Sequence, residues 1–162
     1  MVELGHAERR EAPFHENNEM IAAKARAAVR NDLVPLVCIG EKGRSSSISE
    51  GVGIAVRECR PQVTSVLNAV GPDVDVIFAY EPVWAIGKKE PASADHVLAV
   101  LRQIEDVVKT MERKGDVRLI YGGSAGPGTW TGLRGGADGL FLGRFAHEVE
   151  ALKAVLSEME ED

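Results

Sequence analysis

The sequence predicts an α/β protein built on a parallel sheet covered by helices, and three observations point there. Apolar runs of strand length alternate with longer amphipathic runs at helical spacing along the 162 residues. The short runs are apolar at consecutive positions, as in strands buried on both faces. A helical run lies between each pair of strand runs, which is the crossover that parallel strands need.

Taken in order, Met1–Leu4 reads as a strand, or the tail of one. Asn17–Arg30 reads as a helix, with Asn17 or Asn18 as cap and Met20, Ile21, Ala25, Ala28 and Val29 on one face. Leu33–Ile39 is a continuous apolar strand, followed by the Gly/Ser-rich loop Gly43–Ser47. Ser49–Cys59 and Pro61–Val70 read as two helical pieces, because Pro is tolerated at a helix start. Gly71-Pro72-Asp73 is a turn and Val74–Tyr80 the next strand. Ser93 caps a long helix, with Val97, Val100, Leu101, Ile104, Val108 and Met111 at helical spacing. Val117–Tyr121 reads as a strand, Gly128–Leu133 as a short helix and Gly139–Leu142 as a fifth strand; His147–Met159 closes the chain as an amphipathic helix. No linker composition appears, so residues 1–162 read as one domain. Five strands fit either an open doubly wound sheet or part of a (β/α) barrel, and periodicity does not choose between them.

Composition narrows the function classes. A hydrophobic share of 44% and a charged share of 27% are those of an ordinary soluble domain. The net charge of −6, with no long basic run, argues against nucleic acid or an anionic membrane as partner. No apolar run approaches the roughly 20 residues that span a bilayer. Met1-Val2-Glu3-Leu4-Gly5-His6 has neither the charged nor the apolar region of a signal peptide. Cys38 and Cys59 have no metal-ligand spacing, and Cys38 lies in an apolar run as a buried thiol would. A reduced, cytoplasmic setting is the expectation.

The densest chemistry lies in Ala79-Tyr80-Glu81-Pro82-Val83-Trp84-Ala85-Ile86-Gly87. An apolar strand delivers one carboxylate, Glu81, to its C-terminal end, and Pro82 stops the strand by fixing φ and removing a donor. In parallel α/β barrels the chemistry sits at that end of the strands. Gly5-His6-Ala7-Glu8-Arg9-Arg10 places a histidine in a polar segment able to start a helix, whose positive end disfavours imidazolium. Cys38-Ile39-Gly40-Glu41 ends another strand in an acid. Tyr121-Gly122-Gly123-Ser124 and Leu142-Gly143-Arg144-Phe145 are glycine-rich loops after strands; each alone reads as a turn.

Together and in this order, these segments resemble the triosephosphate isomerase family. The resemblance runs from Met1 to the last helix, and implies a parallel (β/α) barrel of the TIM type of which this chain holds about five of eight βα units. The first three units have no counterpart, and with them go the first-strand Asn and Lys and the third loop through which the family dimerises.

What the family does follows from that resemblance. Glu81 would be the base that moves a proton next to a carbonyl, in a desolvated place beneath a closing lid. His6 would polarise the carbonyl as a neutral electrophile, kept neutral in the family by a helix N-terminus, a role the resemblance carries over from the family. Glu8 would support the site electrostatically. The lid would be Pro82–Ser93, with Trp84 in its hinge and Ile86 at its tip, supported by Glu41 facing Trp84 and by Tyr121. Gly87, Ser124, Gly143 and Arg144 would hold the phosphate, the last two loops matching the barrel phosphate site.

Four departures stand out. Ala7 replaces the family's Ser, Lys89 replaces a lid glycine, Pro91 stiffens the lid's far end, and Arg144 replaces a second glycine. The implied reaction interconverts glyceraldehyde 3-phosphate and dihydroxyacetone phosphate through an enediolate, as in glycolysis and gluconeogenesis, with no metal or organic cofactor. The altered lid and Leu-Gly-Arg-Phe loop also resemble paralogues acting on four-carbon ketose phosphates such as erythrulose phosphate. A catalytically incomplete partial barrel is the reading from another class. The expected partners are a small phosphorylated sugar and, since five strands leave two open edges, a second copy or an absent N-terminal segment.

Overall fold

A computed structural model describes residues 1–87 and 91–160. The chain runs β1 (Val2–Leu4), α1 (Ala7–Arg10), α2 (Asn18–Val29), β2 (Pro35–Ile39), α3 (Ile48–Ala69), β3 (Val76–Tyr80), α4 (Ala94–Lys109), β4 (Val117–Tyr121), α5 (Thr129–Leu133) and α6 (Val149–Glu160). Two 3-10 turns, Val83–Ala85 and Arg144–His147, follow β3 and precede α6. The strands pair in parallel in the order β1-β2-β3-β4, so each neighbours the next in sequence and the order never reverses.

Side-chain parity decides between barrel and doubly wound sheet. Val37, Ile39, Val76, Phe78, Tyr80, Leu119 and Tyr121 pack with Ile21 and Ala25 of α2, with α3 from Val52 to Leu67, and with Val97 to Ile104 of α4. Residues of the opposite parity, Leu36, Cys38 and Ala79, form a separate cluster with Ile77, Ile120 and Phe141 and with no helical residue. The helices therefore cover one face of the sheet, the arrangement of a barrel wall; a doubly wound sheet carries helices on both. The wall is a segment of a TIM-type barrel, and the sheet is not closed.

The helices form where caps and apolar spacing agree. Asn17 Oδ1 accepts the Met20 N–H at 2.9 Å and Ser93 Oγ the His96 N–H at 3.4 Å, satisfying first-turn donors. Ser47 begins α3 in the same way.

Three expectations are corrected. The two helical pieces around Pro61 are one helix, α3, which runs through the proline. Gly51, Val52, Ala55, Cys59, Val63, Val66 and Leu67 give it one continuous buried face, while Pro61 is exposed. Burial along the whole face outweighs a missing N–H and a clash with the carbonyl four residues back. Pro61→Ala is therefore expected to raise stability by about 1–3 kcal/mol, read as a higher urea midpoint; an unchanged midpoint would mean that the helix has relaxed around the ring.

The fifth strand, Gly139–Leu142, is reduced to a single bridge, Tyr121↔Leu140. The Asp138 carboxylate accepts the Leu119 N–H at 2.6 Å, taking a β4 donor that a longer partner strand would have used. Nor are the strands apolar on both faces throughout. Glu3 on β1 and Arg118 on β4 are exposed, at the two ends of the strand order, where a side chain still reaches water.

Candidate active site

The β3 strand is buried, and its last residue leads directly into Glu81. Glu81 N–H donates to the Ile39 carbonyl at 2.7 Å, so the acid leaves β3 while still tied to β2. The side chain is almost fully buried, and its Oε2 has no hydrogen-bond partner among the described residues. Loss of solvent pushes its carboxyl up to about 8; the Cys38 thiol, the Ala7 amide and the Arg10 charge oppose the shift, and Glu3 adds to it. A carboxylate so poorly solvated is a stronger base than one in water.

His6 stands opposite, with Nε2 3.8 Å from Glu81 Oε1. It is the N-cap of α1, and its Nδ1 accepts the Glu8 N–H at 3.4 Å. That acceptor role leaves Nδ1 without a proton, so the neutral ring carries its proton on Nε2, the nitrogen facing Glu81. Glu8 meets His6 through its amide, while its side chain is exposed. Arg10 ties this corner together, donating to Gly5 O at 3.0 Å, Asn18 Oδ1 at 2.8 Å and Cys38 O at 3.2 Å.

Behind Glu81, Trp84 Nε1 donates to Glu41 Oε1 at 2.7 Å, and Arg44 lies over the indole. Ile86 is half-buried, and Gly87 is exposed with φ +69°. The Tyr121 hydroxyl accepts the Ala92 N–H at 3.3 Å, tying β4 to the start of α4. Lys88, Lys89 and Glu90, which include the lid substitution at 89, lie outside the described residues.

The two glycine-rich loops are adjacent. A Cβ at Gly126 would meet the Phe145 ring at 2.7 Å, so the loop after β4 and the turn holding Arg144 pack against each other. Ser124 Oγ donates to the Ala85 carbonyl at 2.9 Å, joining this loop to the segment after Glu81. Gly143 and Arg144 are exposed at the start of their turn. Gly122 lies against the base: a Cβ there would stand 3.0 Å from Glu81 Cγ, so a larger residue would press on the Glu81 side chain.

Sequence reasoning missed several contributors. Cys38 borders Glu81, Gly40 underlies its backbone, and His96 and Tyr80 meet Glu41. Gly40 was visible in a motif, but its contact spans two strands. His96 reads in sequence only as a polar first-turn residue. Among the described residues, no group of three or more His, Cys, Asp or Glu side chains converges to hold a metal ion, and no helix is long and apolar enough to cross a membrane.

A family model described as triosephosphate isomerase matches residues 1–159. The L-erythrulose-1-phosphate isomerase of Pectobacterium atrosepticum is 42% identical over 160 residues, covering 97% of this chain and 60% of that protein. The protein of the same name from Brucella abortus biovar 1 is 41% identical, covering 97% of this chain and 61% of that one. A Listeria monocytogenes protein named "Probable triosephosphate isomerase 2" is 33% identical, covering 96% and 61%. The chain thus spans about three fifths of the length of these relatives. With the one-sided helical layer, the parallel strand order and a match from Met1 to Met159, the chain belongs to the triosephosphate isomerase family.

Proposed function

We propose that the chain carries the base, electrophile and phosphate loops of a sugar-phosphate isomerase that moves a carbonyl by a 1,2 proton shift, as aldose–ketose isomerases do, and that its substrate is a four-carbon ketose phosphate, which the shift turns into another ketose. The observation that carries the chemistry is the buried Glu81 carboxylate with His6 Nε2 3.8 Å away. The substrate reading is supported by relatives named for L-erythrulose 1-phosphate at 41–42% identity over nearly the whole chain. The triose phosphate reading, which the motifs alone put first, is second; the relative named for it is 33% identical.

The chemistry is a 1,2 proton shift. In L-erythrulose 1-phosphate the C1 oxygen is esterified and has no hydroxyl to become a carbonyl, so the carbonyl moves from C2 to C3. Glu81 takes the C3 proton, and the C–H electron pair forms the C2–C3 double bond of an enediolate. His6 Nε2–H donates to the oxygen on C2, where negative charge develops. Transfer of the O3 proton to O2 and return of the Glu81 proton to C2 leave a C3 ketone, a C2 hydroxyl and an ionised Glu81. Burial keeps water from the enediolate and strengthens every charge interaction inside.

The backbone amides of Ser124, Gly143 and Arg144, with Gly87, would hold the phosphate, and the exposed Arg144 guanidinium adds a charge to that end. Arg144→Gly is expected to weaken inorganic phosphate binding about fivefold, by isothermal titration. Unchanged affinity would place the guanidinium elsewhere.

The deciding experiment is turnover of the purified chain on L-erythrulose 1-phosphate and on glyceraldehyde 3-phosphate, beside identically prepared Glu81→Gln. A higher kcat/KM for the four-carbon substrate is expected. Preference for the triose would install the second reading. Rates equal to the Glu81→Gln control on both would show a catalytically incomplete chain.

A further inference from the structure

Four polar side chains from four segments meet next to Glu81, and the family resemblance accounts only for Glu41 and Trp84. Glu41 follows β2, Tyr80 ends β3, Trp84 lies in the 3-10 turn and His96 in the first turn of α4. Tyr80 and Glu41 are fully buried and His96 is 7% exposed. The contacts converge on one oxygen. Glu41 Oε1 accepts from Trp84 Nε1 at 2.7 Å and from Tyr80 Oη at 3.1 Å. His96 Nε2 lies 3.0 Å from Tyr80 Oη and 3.6 Å from Glu41 Oε1. Glu41 Oε2 has no hydrogen-bond partner among the described residues, so the hold on this carboxylate is one-sided.

Counting protons orders the network. Burial and the Glu41 charge push the Tyr80 phenol up, so it stays protonated and has one hydrogen to give. Given to Glu41, it leaves Tyr80 Oη an acceptor toward His96, whose Nε2 must then carry a proton. Given to His96, it leaves phenol lone pairs facing a carboxylate away from water, an arrangement that costs a buried hydrogen bond. The first arrangement satisfies every contact: His96 donates to Tyr80, and Tyr80 and Trp84 both donate to Glu41. Nδ1 of His96 then lies on the side of Gly51, 3.6 Å from where a Cβ would stand, at the wall of an open cavity of about 280 Å³.

This network brackets the base. Tyr80 immediately precedes Glu81, Trp84 follows it by three residues, and both are tied to the same Glu41 oxygen. Val83 N–H also donates to the Glu41 carbonyl at 3.0 Å. We propose that His96 is a positioning residue for Glu81 and for the turn carrying Trp84: by donating from Nε2 it commits the Tyr80 proton to Glu41, and so holds Glu41 Oε1 in place for the indole. The proposal rests on the reading of Glu81 as the base, but its geometry can be tested without turnover.

The test uses the full chain by NMR. Long-range proton–nitrogen correlation of the histidine rings, with His96 assigned by its loss in His96→Gln, is expected to show neutral His96 protonated at Nε2. A ring protonated at Nδ1 with Nε2 bare would overturn the proposal. The Trp84 indole N–H resonance, assigned with Trp84→Phe, gives the second readout. His96→Leu should move it upfield, toward an indole that has lost its strong acceptor, whereas His96→Gln, whose amide can donate to Tyr80, should keep the parent position. Both variants parent-like, or both shifted alike, would refute the positioning role. If His96→Leu does not fold, the parent's tautomer decides alone. An inactive chain with the Nε2-protonated ring would count against the isomerase reading and not against this one; an active chain with the opposite tautomer would do the reverse.

Discussion

Glu81→Gln is expected to cut isomerase turnover by about 10²–10⁴-fold, the usual contribution of a positioned general base, while inorganic phosphate still binds as in the parent. Turnover equal to the parent's would remove Glu81 from the mechanism. The same substitution should change how stability depends on pH, and the sign follows from burial. The carboxyl has an ordinary value of 4.5 and is pushed up to about 8 in the folded protein, first by loss of solvent. Between these values the folded state keeps a proton that the unfolded chain has lost, so stability falls as pH rises through that window and levels off above about 8. The accumulated penalty is on the order of several kcal/mol. Glu81→Gln removes it, so the variant should gain on the parent in urea unfolding between about pH 5 and about pH 9. Parallel pH profiles would show that water reaches the parent carboxylate. For activity the direction is the opposite. Only ionised Glu81 accepts a proton, so kcat/KM should climb with pH to about 8 before levelling.

Gly40→Ala is expected to destabilise the protein by about 3 kcal/mol or more. A Cβ there would lie 1.9 Å from the Glu81 carbonyl oxygen and 2.8 Å from its carbon, both backbone atoms. Neither strand can move aside easily. β2 and β3 are held in register through Cys38↔Ala79 and Ile39↔Tyr80, and Gln62 bonds both the amide and the carbonyl of Gly40. Any relief must shift the backbone of Glu81 itself, so activity should fall more steeply than the folded fraction. Guanidinium unfolding with far-ultraviolet circular dichroism checks the first claim; a midpoint within error of the parent's would show that the strands yield cheaply.

The two predictions differ in how far the sequence alone could reach them. Glu81 was legible as a candidate because its signals are local: an apolar run, one acid and a proline that ends the strand. Ser93 was legible as a cap for the same reason, and Asn17 as one of two candidates with Asn18, since the groups these caps satisfy lie within three residues. The steric need for glycine at position 40 was not, because the atoms it must avoid are 41 residues away and become neighbours only when two strands pair. His96 was hidden in the same way: its partners, Tyr80 and Glu41, lie on other elements. Pro61 misled because local helix chemistry disfavours it, while burial summed along α3 overrides that preference.

What the sequence determined by itself was the alternation of strands and helices, the ends of the strands on which acids and glycine-rich loops sit, and membership of the family those motifs resemble. Each depends on residues close along the chain, where periodicity, caps and turn formers act directly. Tertiary structure alone decided that α3 runs unbroken through Pro61, that the fifth strand shrinks to one bridge, and that Glu81 is dry enough for its carboxyl to rise to about 8. These outcomes depend on which distant groups exclude water from one another and compete for the same hydrogen bonds, and such distances exist only once the chain has folded.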